Sequence, residues 1–306
     1  MRTPRLRLLA SAVLAGTLLA GCGTGPASVG AAAFVGQDRI PVNEVQSRLR
    51  TVLDKEPGAR EKLEQQDQVD ELGRRLASDL VRRRLINQAA AEERLHVDQR
   101  QVGDVINAAG GAEKASKGQI YTAGDLPEAV RARLLTGELG RKYIDRVSVV
   151  YDVTTANNRR EAEQKARAMS AGPQQSRDLV GADHKAGLGA ATSQRVRSAE
   201  VPDLAASTPV FAAQPGTVLA FELQPQSGQW TVLRVNAREV DPSAPATGAG
   251  QDEARMQAFG SQLLRVTAQR NGVQLSPRYG VWDPIGLAAV QSPGETTGFA
   301  FSTPAA

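Results

Sequence analysis

The apolar residues of this chain change period near residue 147, and that change limits the possible folds more than any single motif does. Before it they recur every three or four positions. Val42, Val45, Leu49, Val52 and Leu53 share one helical face, with Asn43 read as an N-cap and Gln46 three residues on. Val69, Leu72, Leu76, Leu80, Val81 and Leu85 form the stripe of a long helix over residues 61–94. Asp98, with Gln101 at the third position, opens a helix that runs through Ala108. Residues 112–124 read as a polar loop, and Asp125 then opens a helix faced by Val130, Leu134, Leu135, Leu139, Tyr143 and Ile144. At Val147-Ser148-Val149-Val150-Tyr151-Asp152-Val153 the period becomes strand-like. A helix over residues 156–169, a Gly-rich passage over 181–189 and a variable segment to Thr208 follow, then strand-like runs at 218–223 and 230–235. Helical period returns over 251–269 with Met256, Phe259, Leu263 and Val266, and Val273-Gln274-Leu275 is a strand.

The expected fold class is therefore α+β. Residues 34–148 form a helical domain whose amphipathic faces close on one another. Residues 149–242 form a small α+β domain. Residues 243–290 supply a helix and a strand that cannot build a core alone, so they return to the helical domain and make the second domain an insertion. Residues 291–306 read as a disordered tail.

Cys22 is the only cysteine in 306 residues, so no disulfide is available and an ordinary apolar core must hold the fold. Arg2, Arg5 and Arg7 precede an apolar run over residues 8–20, the pattern of a secretory signal and too short for a membrane span, which needs about 20 residues. Leu19-Ala20-Gly21-Cys22 resembles the lipobox of bacterial lipoproteins. That resemblance implies removal of residues 1–21, acylation of Cys22 and a cell-membrane location on the extracytoplasmic side. Residues 22–33, small and uncharged, then read as a flexible tether. The 37 basic and 33 acidic residues become 34 and 33 once the three leader arginines are gone, so the charge gives no reason to expect a nucleic-acid partner.

The order of parts resembles the SurA/PrsA group of exported foldases, in which a helical chaperone domain carries an inserted parvulin-type prolyl isomerase domain. The residues that carry the resemblance are Val35-Gly36-Gln37-Asp38-Arg39-Ile40, Leu95-His96-Val97-Asp98, Phe211-Ala212-Ala213-Gln214-Pro215-Gly216-Thr217-Val218 and Gly228-Gln229-Trp230-Thr231-Val232-Leu233-Arg234-Val235. The Asn271-Gly272-Val273, Pro277-Arg278-Tyr279-Gly280 and Trp282-Asp283 ending is similar to actinobacterial lipoproteins of the group. Active parvulins keep two facing histidines with a cysteine or aspartate nearby. Here Val149 to Thr155 holds no histidine, and Thr231 stands where the closing strand would carry the other. The resemblance thus implies a degenerate parvulin-like domain and a chaperone of unfolded exported polypeptides that works without catalysis. The alternatives are a divergent prolyl isomerase and an envelope lipoprotein with one dedicated partner.

Other chemistry has little material. His96 and His184 fall in different domains, which leaves no histidine metal site or Ser-His-Asp triad, and no metal or cofactor is expected. His184 reads as an exposed loop residue and His96 as a turn residue. Arg82-Arg83-Arg84 reads as a solvated face, and Gly110-Gly111 matches no phosphate loop. Trp230 and Trp282 read as packing anchors. The candidate peptide-binding lining is Leu72, Leu76, Leu80, Leu134, Leu135 and Tyr143, with Phe259 and Leu263 from the returning helix. These residues either fill the core or line a polar-rimmed apolar groove.

Overall fold

The computed structural model describes residues 29–245, 248, 250 and 252–302, and it is α+β. Strands β1 (Ala31–Val35) and β2 (Asp38–Pro41) form a hairpin whose turn places Gly36 at φ 61°, in the left-handed region glycine tolerates. The tether expected over residues 22–33 therefore ends early. Ala31, Ala32 and Ala33 are buried, because β1 pairs with β2 on one side and with Val273–Leu275 (numbered β7 in chain order) on the other. Helix α1 (Val42–Lys55) starts directly from β2. Pro41, extended at ψ 148°, is its N-cap, so Asn43 lies inside the helix and caps nothing.

The long helix expected over 61–94 is two helices, α2 (Ala59–Gln65) and α3 (Val69–Glu93). Asp67 at φ 51° breaks the run between them, and Arg94 at φ 54° ends α3 in a left-handed cap. Asp98 and Gln101 close the capping box of α4 (Gln99–Ala108). The segment read as a polar loop contains the short helix α5 (Ala112–Ser116). Lys55 Nζ holds it down by donating to the carbonyls of Ser116, Gln119 and Tyr121. Helix α6 (Leu126–Tyr143) follows.

Beyond α6 the chain forms a five-stranded antiparallel sheet that opens in sequence with β3 (Val147–Ala156). Helices α7 (Arg159–Ser170) and α8 (Pro173–Lys185), strand β4 (Ala191–Arg197) and the short helix α9 (Pro202–Ser207) follow. Strands β5 (Thr217–Glu222) and β6 (Trp230–Val240) come next, and α10 (Glu253–Asn271) closes the helices. The Gly-rich passage is thus partly the end of α8, and the variable segment contains β4.

The sheet buries both faces, and the alternation of its strands divides the side chains. Val218, Ala220, Trp230 and Val232 meet Ala162, Ala166 and Met169 of α7 and Val180 of α8. Leu219, Phe221, Leu233 and Val235 point the other way, into a core shared with Leu139 of α6 and Met256, Phe259 and Leu263 of α10. A second core gathers Val35, Ile40, Val45 and Leu53 with Leu72, Leu76, Leu80 and Leu85. Helix α10 packs along α6, and β7 pairs with β1, so the C-terminal segment returns to the helical part.

The tail expected over 291–306 is ordered through residue 302. After the two-stranded hairpin β8 (Val281–Asp283) and β9 (Ala288–Val290), β10 (Gly298–Ser302) pairs with β5 and completes the sheet order β10-β5-β6-β3-β4. The cause is a short alternating run. Phe299 stacks on Phe301 and lies 5.9 Å from the Trp230 ring, while Arg159 sits 4.5 Å over Phe299.

Candidate functional site

The sequence-derived lining does not form one open surface. Leu72, Leu76 and Leu80 lie in the core beside the N-terminal hairpin, whereas Phe259 and Leu263 lie in the core shared with the five-stranded sheet. Leu135 is buried. Leu134 is half-buried in a satellite cluster with Val102, Ile106, Leu126 and Val130. Tyr143 is half-buried under Lys142, and burial together with its bond to Glu93 raises its hydroxyl pKa. These side chains are engaged in packing, the core alternative of the two that the sequence leaves open. Cys22 lies outside the described residues. His184 is exposed as expected, but in the last turn of α8, with Nδ1 2.9 Å from the Ala190 carbonyl oxygen. His96 is exposed after α3. No group of three or more potential metal ligands occurs among the described residues.

The open space lies elsewhere, along α10. The turn between β8 and β9 stands against this helix, and its position is set by Asp283. That buried carboxylate accepts from the Ile285 amide at 2.8 Å, the Thr297 amide at 2.7 Å and the Thr297 hydroxyl at 2.8 Å. The hairpin is tied to α3 where the Ala289 amide donates to Ser78 Oγ at 2.8 Å. Arg265 of α10 reaches the turn and donates from Nε to the Pro284 carbonyl at 3.1 Å.

Three cavities adjoin one another on this helix. One of about 270 Å³ lies between α10, the turn and the sheet, and Leu219, Val273, Trp282, Ile285, Leu287 and Ala300 give it apolar walls. A second, of about 370 Å³, lies between α3, α6 and α10 and is walled by Arg82, Arg83, Arg133 and Arg265. These two share Arg265 and Leu287. A third, of about 370 Å³, begins at Pro215 and Arg270 and shares Gln269 and Ser302 with the apolar one. From Gln257 to Arg270 the series spans about 20 Å at the helical rise, the length of about six extended residues.

The electrostatics follow from burial. Arg83, reached in sequence as part of a solvated face, is instead 5% exposed. Its Nε donates to Asp79 at 2.8 Å and its Nη1 to Glu128 at 3.0 Å, and its guanidinium lies 5.0 Å over the Tyr121 ring. Tyr121 donates to Asp79 at 2.7 Å, and burial, reinforced by that bond, pushes its hydroxyl pKa up to about 12. Burial lowers Arg265 to about 10, against the weaker pull of Asp283.

Sequence reasoning missed this site because its walls come from the β8–β9 turn, beside which the sequence singles out only Trp282, as a packing anchor, and from β10, read as a tail. The one signal was Phe299-Ala300-Phe301, whose alternation is strand-like but short.

No protein-family model and no curated protein matches the chain. Among solved structures, the foldase protein PrsA from Lactococcus lactis aligns over 80% of this chain and 94% of its own length, at 10% identity and a TM-score of 0.28.

Proposed function

We propose that the protein is a membrane-anchored, extracytoplasmic chaperone that binds unfolded exported polypeptides without catalysing a reaction. The carrying observation is the apolar cavity between α10, the β8–β9 turn and the five-stranded sheet, flanked on one side by the arginine-lined cavity and on the other by one of mixed lining that begins at Pro215 and Arg270. Apolar walls take side chains of many shapes, and the polar groups at either end suit the backbone and charged residues of an extended chain. The leader and Cys22 support export and anchoring. The acylated Cys22 is the proposed attachment. Tethering raises the effective concentration of a weak, broad binder where chains emerge. Val149, on the strand where an isomerase of the resembled group carries a histidine, is packed into the shared core, which favours binding over catalysis.

Light scattering of a chemically unfolded exported protein tests the reading. The full chain should suppress aggregation at stoichiometric amounts. Ala268 of α10 also lines the apolar cavity, and Ala268→Glu, which puts a charge there, should lose most of that effect while its circular dichroism stays native. No suppression at stoichiometric excess sinks the proposal.

A further inference from the structure

The second cavity is more specific than a general polar rim. Four arginines face it, with Asp79 as the only acidic residue in its wall. Asp79 is already engaged by Arg83 at 2.8 Å and by Arg48 at 3.9 Å. Arg82, Arg133 and Arg265 form no ion pair with a carboxylate among the described residues. Arg133 Nε donates to a neutral partner, Gln257 Oε1, at 2.8 Å. Among the described residues, Arg265, 7% exposed, donates only to the Pro284 carbonyl and to the backbone and side-chain oxygens of Gln262. Arg83 Nη2 is buried with no hydrogen-bond partner among the described residues. Guanidinium forks held on three helices thus converge on a space whose own negative charge is used up.

We infer that this cavity binds a carboxylate that a polypeptide carries beside an apolar side chain. The inference rests on the peptide-binding reading and deepens it. The planar fork of arginine matches a carboxylate with two parallel hydrogen bonds. The apolar neighbour follows from the shared wall, because Leu287 and Arg265 separate this cavity from the one lined by Trp282 and Ile285. Burial lowers the pKa of Arg265 against only the weaker pull of Asp283, so an anion there would further stabilise its guanidinium. Two sources carry this chemistry, the C-terminal carboxylate of a client and the side chain of Asp or Glu.

Fluorescence polarisation on the full chain separates them with three labelled apolar hexapeptides. One has a free C-terminus, one is the C-terminal amide, and one is the amide with an internal aspartate. At least one acidic peptide should bind roughly tenfold tighter than the plain amide. Whichever does so identifies the source. The double variant Arg82→Gln/Arg133→Gln alters two exposed side chains and should bring the acidic peptide's affinity down to within about twofold of the plain amide's. Equal binding of all three peptides overturns the inference and leaves the chaperone reading in place, as does a gain that survives in the double variant. Failure of every peptide to bind removes both. Inorganic phosphate raising the melting temperature while the acidic peptides gain nothing assigns the cavity to phosphate and overturns the inference.

Discussion

Asp283 shows how much of the site depends on one side chain. It is fully buried, and it spends its lone pairs on the amide of Ile285 and on the amide and hydroxyl of Thr297. Those three bonds fix the turn that walls the apolar cavity and join it to the segment leading into β10. A carboxylate removed from water needs this satisfaction, and losing it leaves buried donors unpaired. Asp283→Ala should cost about 3 kcal/mol in urea unfolding. A loss within a few tenths of wild type would show that the turn is held by something else. Arg83 teaches the complementary lesson. Three consecutive arginines look alike in sequence, yet on α3 the middle one is buried against Tyr121 while Arg82 stays exposed at the mouth of the arginine-lined cavity. Helical phase separates neighbours by about 100°, and only the packing partner decides which of them is buried.

Among the elements, the crossing of α6 and α10 is too close to admit a side chain at its centre. A Cβ at Gly140 would stand 2.0 Å from the Met256 carbonyl oxygen, and one at Gly260 would stand 1.8 Å from that of Thr136. The two backbones therefore touch where both helices carry glycine, and any side chain must push the axes apart. Gly260→Ala should cost at least about 2 kcal/mol by thermal or urea unfolding. Gly103 in α4, which has open space around it, makes the control. Gly103→Ala should stabilise by about 0.5–1 kcal/mol through helix propensity. If both substitutions moved stability the same way, the close crossing would not be what selects glycine. The crossing also sets the site, because α10 carries a wall of all three cavities and its distance from α6 sets the width of the arginine-lined one.

Across the whole molecule, acidic groups bridge the helices that the cores bring together. Glu93 at the end of α3 meets Lys142 of α6 at 2.7 Å, and Glu253 at the start of α10 pairs with Arg141 of α6. Burial alone would raise both carboxyls, but the Lys142 and Tyr143 bonds outweigh it at Glu93, and the Arg141 and Gln257 bonds at Glu253. Both therefore lie below their ordinary 4.5. Asp125 lies below 3.8, where the hydroxyl and amide of Thr122 outweigh burial. A carboxyl whose folded pKa is depressed stabilises above its unfolded pKa and loses that contribution as pH falls through the folded one. The melting temperature should thus be flat above about pH 4.5 and drop below it. The triple variant Glu93→Gln/Asp125→Asn/Glu253→Gln should flatten that drop. An unchanged acid limb in the variant would place the acid sensitivity elsewhere.

The sequence by itself determined the order of the main helices and strands. The change of period near Val147 gave helices and then strands in the right order, and Asp98 with Gln101 announced a cap that forms as read. Such features depend on residues a few positions apart, so spacing and side-chain type carry them. Tertiary structure decided the rest, because burial is a relation between distant segments. Leu76 and Phe259 are as apolar as any groove residue, and only their partners make them core. The strand at Phe299-Ala300-Phe301 exists because β5 offers it an edge and Trp230 and Arg159 receive its rings. The cavities along α10 are what remains after the sheet and the helices fill their cores. Their walls come from segments far apart in the chain, so no local pattern marks them.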